Sequence, residues 1–291
     1  MKNVLALDIG GTKIDIGLVN QHNKLIWQKQ YSTNCHQGGQ MTLNHIIKII
    51  DRHYSPDLSA ICLAIAGQVD SIKKEVFFSP HFPKSLQKTI RLGKILKQKF
   101  HLPIFMDNDA NCFTLGESYY GQGKQSNYVL GLTIGTGLGS SLVINKRVYR
   151  GHHNGIELGH ILIKRNHSLK HLEYYLSGTG LTNLYLQKKK QLLSTTEIIK
   201  RAQKKELIAQ ASLKEFYDYL KLGIINAILG FDPDIVIVGG GISQTDLPWK
   251  KIFQEIKQSI PLPIYQQVKI VCSKAPNKMT LLGVSLLTKK Y

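Results

Sequence analysis

Three glycine-rich turns, each following an apolar run, are the first places in this sequence where chemistry could be done: Asp8-Ile9-Gly10-Gly11-Thr12-Lys13, Thr133-Ile134-Gly135-Thr136-Gly137-Leu138-Gly139 and Val238-Gly239-Gly240-Gly241-Ile242-Ser243. Glycine lets backbone N–H groups converge on an oxyanion with no Cβ in the way, which suits a phosphate chain. A tight turn asks for the same residue, so one such turn alone says little. The P-loop pattern G-x-x-x-x-G-K-[ST] is absent, and Gly135-x-Gly137-x-Gly139 misses the spacing of a dinucleotide fingerprint. Asp8 stands at a strand end, where a carboxylate can hold Mg²⁺ against phosphates, directly or through water, or can simply shape the turn. Lys13 is placed to offset phosphate charge or to sit solvated on the surface.

Met106-Asp107-Asn108-Asp109-Ala110-Asn111 lies where a strand gives way to a helix. Such junctions point side chains into the crevice at strand ends, although Asn and Asp are also ordinary helix caps. The two roles are compatible: a carboxylate can accept a hydroxyl proton while the neighbouring amide orients the molecule that carries it. A further group is Gly155-Ile156-Glu157-Leu158-Gly159-His160, followed by Glu173 and Ser177-Gly178-Thr179-Gly180. Glu157 and His160 are three apart, so a helical turn puts them on one side. They could fork onto vicinal hydroxyls, form a surface ion pair or ligate a metal.

Positioning these residues requires strands that end at the turns. Val4 to Ile9, Ile14 to Val19 and Leu25 to Tyr31 read as strands, Leu43 to Tyr54 as a helix closed by Pro56, and Ala60 to Ala66 as a strand followed by a loop over Gly67-Gln68-Val69-Asp70. Ile90 to Phe100 is helical, Ile104 to Met106 a short strand and Ala110 to Tyr120 a helix. Leu7-Asp8-Ile9-Gly10-Gly11-Thr12 can be laid over Leu132-Thr133-Ile134-Gly135-Thr136-Gly137, and each is followed by an apolar run ending in Asn, at Asn20 and Asn145. One half reads as a copy of the other. Later come a helix over Leu213 to Leu229, a strand over Ile235 to Val238, a turn at Gly239-Gly240-Gly241, a helix over Trp249 to Ser259, a strand over Val268 to Cys272 and a helix over Leu281 to Lys289. The pattern predicts an α/β fold of mixed sheets with flanking helices in two similar lobes and a cleft between them, with 1–118 plus 276–291 in the first lobe and 119–275 in the second.

Composition narrows the partners. The 291 residues carry 38 Lys and Arg against 19 Asp and Glu, a formal charge of +19, with 43% hydrophobic residues. This is a globular composition, long enough for a large core and unlike a disordered chain. Only six of the cations are Arg. Base readout and bidentate phosphate clamps favour Arg, whereas Lys is the usual solvated cation. Runs such as Lys188-Lys189-Lys190 and Lys200-Arg201-Ala202-Gln203-Lys204-Lys205 therefore read as exposed helix faces, with no specific nucleic-acid partner, while the net charge favours anionic ligands. No apolar run approaches the roughly 20 residues of a membrane helix, and the N-terminus lacks the parts of a secretory signal, so a cytoplasmic location is expected. Cys35, Cys62, Cys112 and Cys272 are scattered and read as free, mostly buried thiols.

Together these motifs closely resemble the ROK family of sugar kinases and repressors, within the sugar kinase, heat-shock ATPase and actin superfamily. The resemblance is carried by Asp8 to Lys13, Asn108-Asp109-Ala110-Asn111 with Leu115-Gly116-Glu117, Gly135 to Gly139, Glu157-Leu158-Gly159-His160, Leu172-Glu173, Ser177 to Leu181 and Gly239 to Ser243. It implies a two-lobed actin-like ATPase fold of the ribonuclease H type and transfer of the ATP γ-phosphoryl group to a hexose 6-hydroxyl. Glucose is the first expectation; N-acetylmannosamine, N-acetylglucosamine, mannose and fructose remain open, as does polyphosphate as donor. Asp109 is implied as general base. Gly67, Asn108, Asp109, Glu157, His160 and Glu173 are implied to bind sugar. Asp8, Gly10, Gly11, Thr12, Lys13, Thr133, Gly135, Thr136, Gly137, Gly239, Gly240 and Gly241 are implied to bind ATP, with Asp8 on Mg²⁺. A homodimer is also implied. The alternative, a sugar-responsive regulator without catalysis, calls for a DNA-reading module ahead of Asp8, and Asp8 lies almost at the first residue.

There is one departure from the family pattern. Family members generally place three Cys between the residues matching His160 and Glu173, and these join the His in a structural zinc site. Here the interval from Ile161 to Leu172 has no Cys; Lys164, Asn166 and His171 occupy those positions. Lys is no substitute for a thiolate ligand. A site built from His160, His167 and His171 lacks a fourth ligand, and a zinc-free loop held by packing is expected.

Overall fold

Apolar runs buried on both faces begin the fold. In the computed structural model, which describes residues 3–33, 39–79, 89–165 and 167–289, β1 (Asn3–Ile9) is the centre of a five-stranded sheet ordered β3-β2-β1-β4-β7. β2 (Lys13–Val19) returns antiparallel to β1, with Asp8 opposite Asp15 and Ile9 opposite Ile14, and β3 (Leu25–Ser32) returns antiparallel to β2. β4 (Leu58–Ile65) and β7 (Ile104–Asn108) run parallel to β1. Parallel strands covered on both faces read as continuous hydrophobic runs, and β4, Leu-Ser-Ala-Ile-Cys-Leu-Ala-Ile, is of that kind. Helix α1 (Gly39–His53) closes one face through Leu43, Ile46, Ile49 and Ile50, which fall on one stripe at helical spacing. Each such side chain taken fully from water stabilises the fold by about 1.5–3 kcal/mol. Helix α2 (Leu92–Phe100) adds Leu92, Leu96 and Phe100 to the same core.

The chain divides into two compact units. One comprises Met1–Lys124, Lys146–Gly155 and Ala275–Tyr291; the other comprises Gln125–Asn145 and Ile156–Lys274. The second unit repeats the strand logic of the first. β8 (Tyr128–Ile134) and β9 (Leu138–Ile144) form an antiparallel pair closed by the turn at Gly135 to Gly137, with Thr133 opposite Gly139. β10 (Arg147–Val148) follows in the first unit. Beyond β8 the sheet of the second unit continues with β13 (Ile235–Gly239), parallel to β8, and β14 (Lys269–Cys272), parallel to β13. Helices α4 (Gly178–Lys189), α5 (Thr195–Gln203), α6 (Leu207–Phe231) and α8 (Trp249–Gln258) cover this sheet. Their buried residues, among them Leu181, Tyr185, Ile198, Phe216, Leu220, Ile224 and Ile256, join Leu130, Leu132, Val236 and Val238 in the second core.

Helix α3 (Asp109–Tyr120) carries the Asn-Asp junction, and α9 (Pro276–Ser285) from the C-terminal segment crosses it. The strand-to-helix junction falls between Asn108 and Asp109. Several expectations are corrected. The stretch after Gly67 is no loop: β5 (Gln68–Asp70) pairs antiparallel with β6 (Glu75–Phe78). Ile90 bridges to Val76 instead of starting α2. The Cys-free interval forms a hairpin, β11 (Leu162–Arg165) on β12 (Ser168–His171), held by cross-strand pairing. Gly240 opens the one-turn helix α7 (Gly240–Ser243) instead of sitting in a turn. The last helix starts earlier than expected, at Pro276, whose fixed φ suits the first helical turn. Cys62 and Cys112 are buried free thiols and Cys272 is half-buried; Cys35 and Asn166 lie outside the described residues. No described helix is long and apolar enough to cross a membrane.

Candidate active site

In the first unit, the turn between β1 and β2 is closed by the Gly10 N–H donating to the Lys13 carbonyl at 3.0 Å. Thr33, just past β3, braces it twice. Its hydroxyl donates to the Gly10 carbonyl at 2.7 Å and its N–H to the Thr12 carbonyl at 3.1 Å. The peptide groups at Gly10 and Thr12 are thus held by a neighbouring strand, while the side chains of Thr12 and Lys13 are exposed. Asp8 stands at the end of β1. Loss of water pushes its carboxyl well above the usual carboxylate range, and the charges of Asp109 and Asp15 push in the same direction. Asp8 and Asp109, a hundred residues apart in sequence, therefore feel each other. Asp15 is satisfied by neutral donors, the amides of Gln28, Gln30 and Asn277.

Asn108 is the N-cap of α3: its Oδ1 accepts from the N–H groups of Ala110 at 2.9 Å and Asn111 at 3.2 Å. Its Nδ2 donates to the carbonyl of Gly67 at 2.9 Å, and Gly67 sits at φ 131°, a backbone setting that suits glycine. Asn108 therefore ties the bend after β4 to the start of α3 and, among the described residues, keeps one amide hydrogen uncommitted. Asp109 opens α3 half-buried, and its Oδ1 accepts from the Ala110 N–H at 2.9 Å.

Sequence reasoning missed Asp107 as more than a motif neighbour. It is 1% exposed and its carboxylate accepts from the Asn108 N–H, the Asn111 side-chain amide and both terminal nitrogens of Arg150. A carboxylate spelled next to Asn-Asp was the only local hint. Arg150 lies 43 residues on and carried no signal in its own surroundings.

In the second unit, the N–H of Gly135 donates to the Gly137 carbonyl at 3.0 Å to close the turn after β8. The Gly135 carbonyl accepts from Gly178 at 2.7 Å, and the Thr136 carbonyl accepts the Thr179 hydroxyl at 2.8 Å, so the first turn of α4 steadies the glycine turn. Glu173 is docked on it as well: its Oε2 accepts from the Leu138 N–H at 2.7 Å, and a Cβ on Gly137 would lie 2.4 Å from that oxygen. Gly240, at φ 77°, is pressed on the backbone of Ile134, where a Cβ would sit 2.5 Å from the carbonyl oxygen. A Cβ on Gly135 or on Gly241 would instead meet nothing within 4 Å. Two of these glycines thus serve close packing, and two leave backbone bare toward open space.

Glu157 precedes a 3-10 turn, Leu158–His160, whose Gly159 packs against the carbonyl of Leu138. Partial loss of water raises the Glu157 carboxyl above its ordinary value; His160 opposes the shift and Glu173 adds to it. Glu157, His160 and Glu173 are therefore electrostatic neighbours; the three-residue spacing suggested this for Glu157 and His160 alone. His171 Nδ1 is 2.9 Å from the His160 carbonyl, and the two rings meet edge to face at 5.2 Å. Among the described residues no group of three or more His, Cys, Asp and Glu side chains is placed to hold a metal ion. The donor set of this hairpin does not fit a zinc centre.

Residues 4–291 match the ROK family, and the chain belongs to it. Among its relatives, the N-acetyl-D-glucosamine kinase of Yersinia pseudotuberculosis is 27% identical over 90% of each chain. The glucokinase of Thermotoga maritima is 25% identical over 99% of this chain and 97% of its own. The fold is that of the ROK family glucokinase from Streptomyces griseus, solved in complex with glucose and AMPPNP: TM-score 0.85, 24% identity and 98% of each chain covered.

Proposed function

We propose that this ROK protein is an ATP-dependent sugar kinase that phosphorylates the 6-hydroxyl of a hexose, glucose first, and that it works in the cytoplasm as a homodimer. The observation that carries the reading is Asp109: a half-buried carboxylate at the first turn of α3, capped by Asn108 and electrostatically coupled to Asp8 at the end of β1. Asp109 accepts the hydroxyl proton as the sugar oxygen attacks the γ-phosphorus, and the bond to the ADP oxygen breaks. Gly10, Gly11, Thr12, Lys13, Thr133, Gly135, Thr136, Gly137 and Gly239 to Gly241 hold the nucleotide in this reading. The bare backbone at Gly135 and Gly241 is suited to phosphate oxygens.

Gly67, Asn108, Glu157, His160 and Glu173 orient the sugar. Asn108 has one amide hydrogen for this task, because its other groups are bound to Gly67 and α3. Asp8 suits a divalent cation: burial and the charges of Asp109 and Asp15 oppose its ionised form, and a bound Mg²⁺ would relieve that repulsion and spread the charge of the phosphates. An N-acetylhexosamine is the second reading for the acceptor, favoured by the names of relatives such as the Yersinia protein. The test is ADP release from ATP over a panel of hexoses and N-acetylhexosamines, with polyphosphate as an alternative donor. Silence across the whole panel, with sugar binding retained, would sink the kinase reading in favour of a non-catalytic regulator.

A further inference from the structure

The segment from Lys146 to Asn154 runs along α3 and is pinned to it at both ends. Near the C-terminal end of the helix, the Lys146 ammonium donates to the carbonyls of Ser118, Gly123 and, at 2.8 Å, Lys124. At the N-terminal end, Arg150 forks onto Asp107 with nitrogen-to-oxygen distances of 2.6 and 3.2 Å, and the Asn154 carbonyl lies 3.4 Å from the Asn111 amide. Asp107 is the last residue before the Asn108-Asp109 junction and is 1% exposed, whereas the Arg150 side chain is 35% exposed. A carboxylate that dry needs its partners, and it has four donors converging on it: two from Arg150, the Asn108 N–H at 2.8 Å and the Asn111 amide at 3.0 Å. Planar bidentate pairing fixes direction as well as distance, which a Lys at this position would not do.

We propose that Asp107 and Arg150 are a positioning pair that fixes the backbone at Asn108 and so aims Asp109 at the acceptor hydroxyl. The inference rests on the kinase reading above and adds two residues to it that act through Asn108 and Asp109. The fork sets the peptide plane between Asp107 and Asn108 through the Asn108 N–H, and Asn111, one helical turn into α3, is bound to the same carboxylate. Asp109 lies between these two anchors. Rotation of the first turn of α3 would break both bonds at once, so the pair resists the one motion that would misdirect the base.

The test is the steady-state kinetics of Arg150→Met, Arg150→Lys, Asp107→Asn and the double variant Asp107→Asn/Arg150→Met, on whichever sugar the wild-type protein phosphorylates. Supporting residues of this kind are worth about 10- to 100-fold. Arg150→Met is expected to lose kcat in that range with the sugar KM little changed, because the sugar contacts are intact while the base is misaimed. Arg150→Lys, which keeps the charge but not the fork, is expected to recover part of the loss. The double variant is expected to be no worse than the poorer single one, since both remove one interaction. A kcat within about twofold of wild type in Arg150→Met, a loss confined to KM, or single losses that multiply in the double variant would each overturn the proposal. If Arg150→Met does not fold, the ratio of kcat to KM effects in Arg150→Lys decides the same question. A wild-type protein silent on every sugar would instead refute the kinase reading and this proposal with it.

Discussion

Gly116 of α3 and Gly283 of α9 are the point at which the two helices touch backbone to backbone: a Cβ on Gly283 would lie 1.8 Å from the carbonyl oxygen of Cys112 and 2.7 Å from the nitrogen of Gly116. A Cβ on Gly116 would lie 1.9 Å from the carbonyl oxygen of Met279. No flexible side chain is available to move aside, so the helices themselves would have to separate. Gly283→Ala is expected to destabilise the protein by about 1–3 kcal/mol, the usual range for overpacking a tight contact, and to lower kcat because α3 carries Asp109. Chemical denaturation and steady-state kinetics on the same preparation check both halves.

Asp109→Asn keeps the shape of the side chain and removes its capacity to take a proton. Turnover is expected to fall by about 10²- to 10⁴-fold, with sugar binding by calorimetry retained. Near-normal turnover would remove Asp109 as the base.

The glycines of the second unit divide by what faces them. Gly240→Ala is expected to destabilise the protein, since it combines a positive φ with a clash on Ile134. Gly135→Ala meets no atom of its own unit within 4 Å. It is expected to leave the unfolding midpoint nearly unchanged, while raising the KM for ATP by filling the space that a phosphate oxygen would occupy. Equal stability losses in the two variants would contradict this division.

Asp8 holds its proton more tightly when folded than when unfolded, because burial and then the charges of Asp109 and Asp15 oppose ionisation. The linkage sign follows: the contribution of this group to stability is largest below its unfolded pKa, about 3.9, and is lost as pH rises through the elevated folded value. Asp8→Asn is therefore expected to stabilise the Mg²⁺-free protein at neutral pH, with a gain that shrinks toward pH 4, while nucleotide-dependent turnover is lost. Thermal unfolding between pH 4 and 8 in the presence of a chelator measures the gain; a gain independent of pH would refute the assignment.

Metal analysis of purified protein is expected to find less than one zinc per chain, since His160, His167 and His171 offer no thiolate and the hairpin is paired strand to strand. Stoichiometric zinc, with unfolding of the hairpin on chelation, would overturn that expectation.

Much of this could be read before any coordinates, and the reasons are local. The duplicated strand-turn-strand pattern at Asp8 and Thr133 works because β1 with β2, and β8 with β9, are neighbours in sequence, so turn chemistry and alternation specify the register directly. The sheet order could not be read, because β4, β7, β13 and β14 find their partners through long crossovers. The hairpins β5–β6 and β11–β12 escaped because three- and four-residue strands are too short to leave a clear periodic signal. Individual glycines carried a similar ambiguity: nothing in the sequence separates Gly240, which serves packing, from Gly241, which does not. The fork of Arg150 on Asp107 depends on tertiary structure alone.

Glu173 and Gly137 also set terms for how this chain can change over generations. With the Glu173 oxygen placed 2.4 Å from where a methyl group at 137 would begin, the two sites are linked. A lineage that gained a side chain at 137 would have to swing the acid at 173 off the turn, and the Leu138 amide would lose its partner. The cost of that step falls on the bond, because the acid is the free end of a flexible side chain.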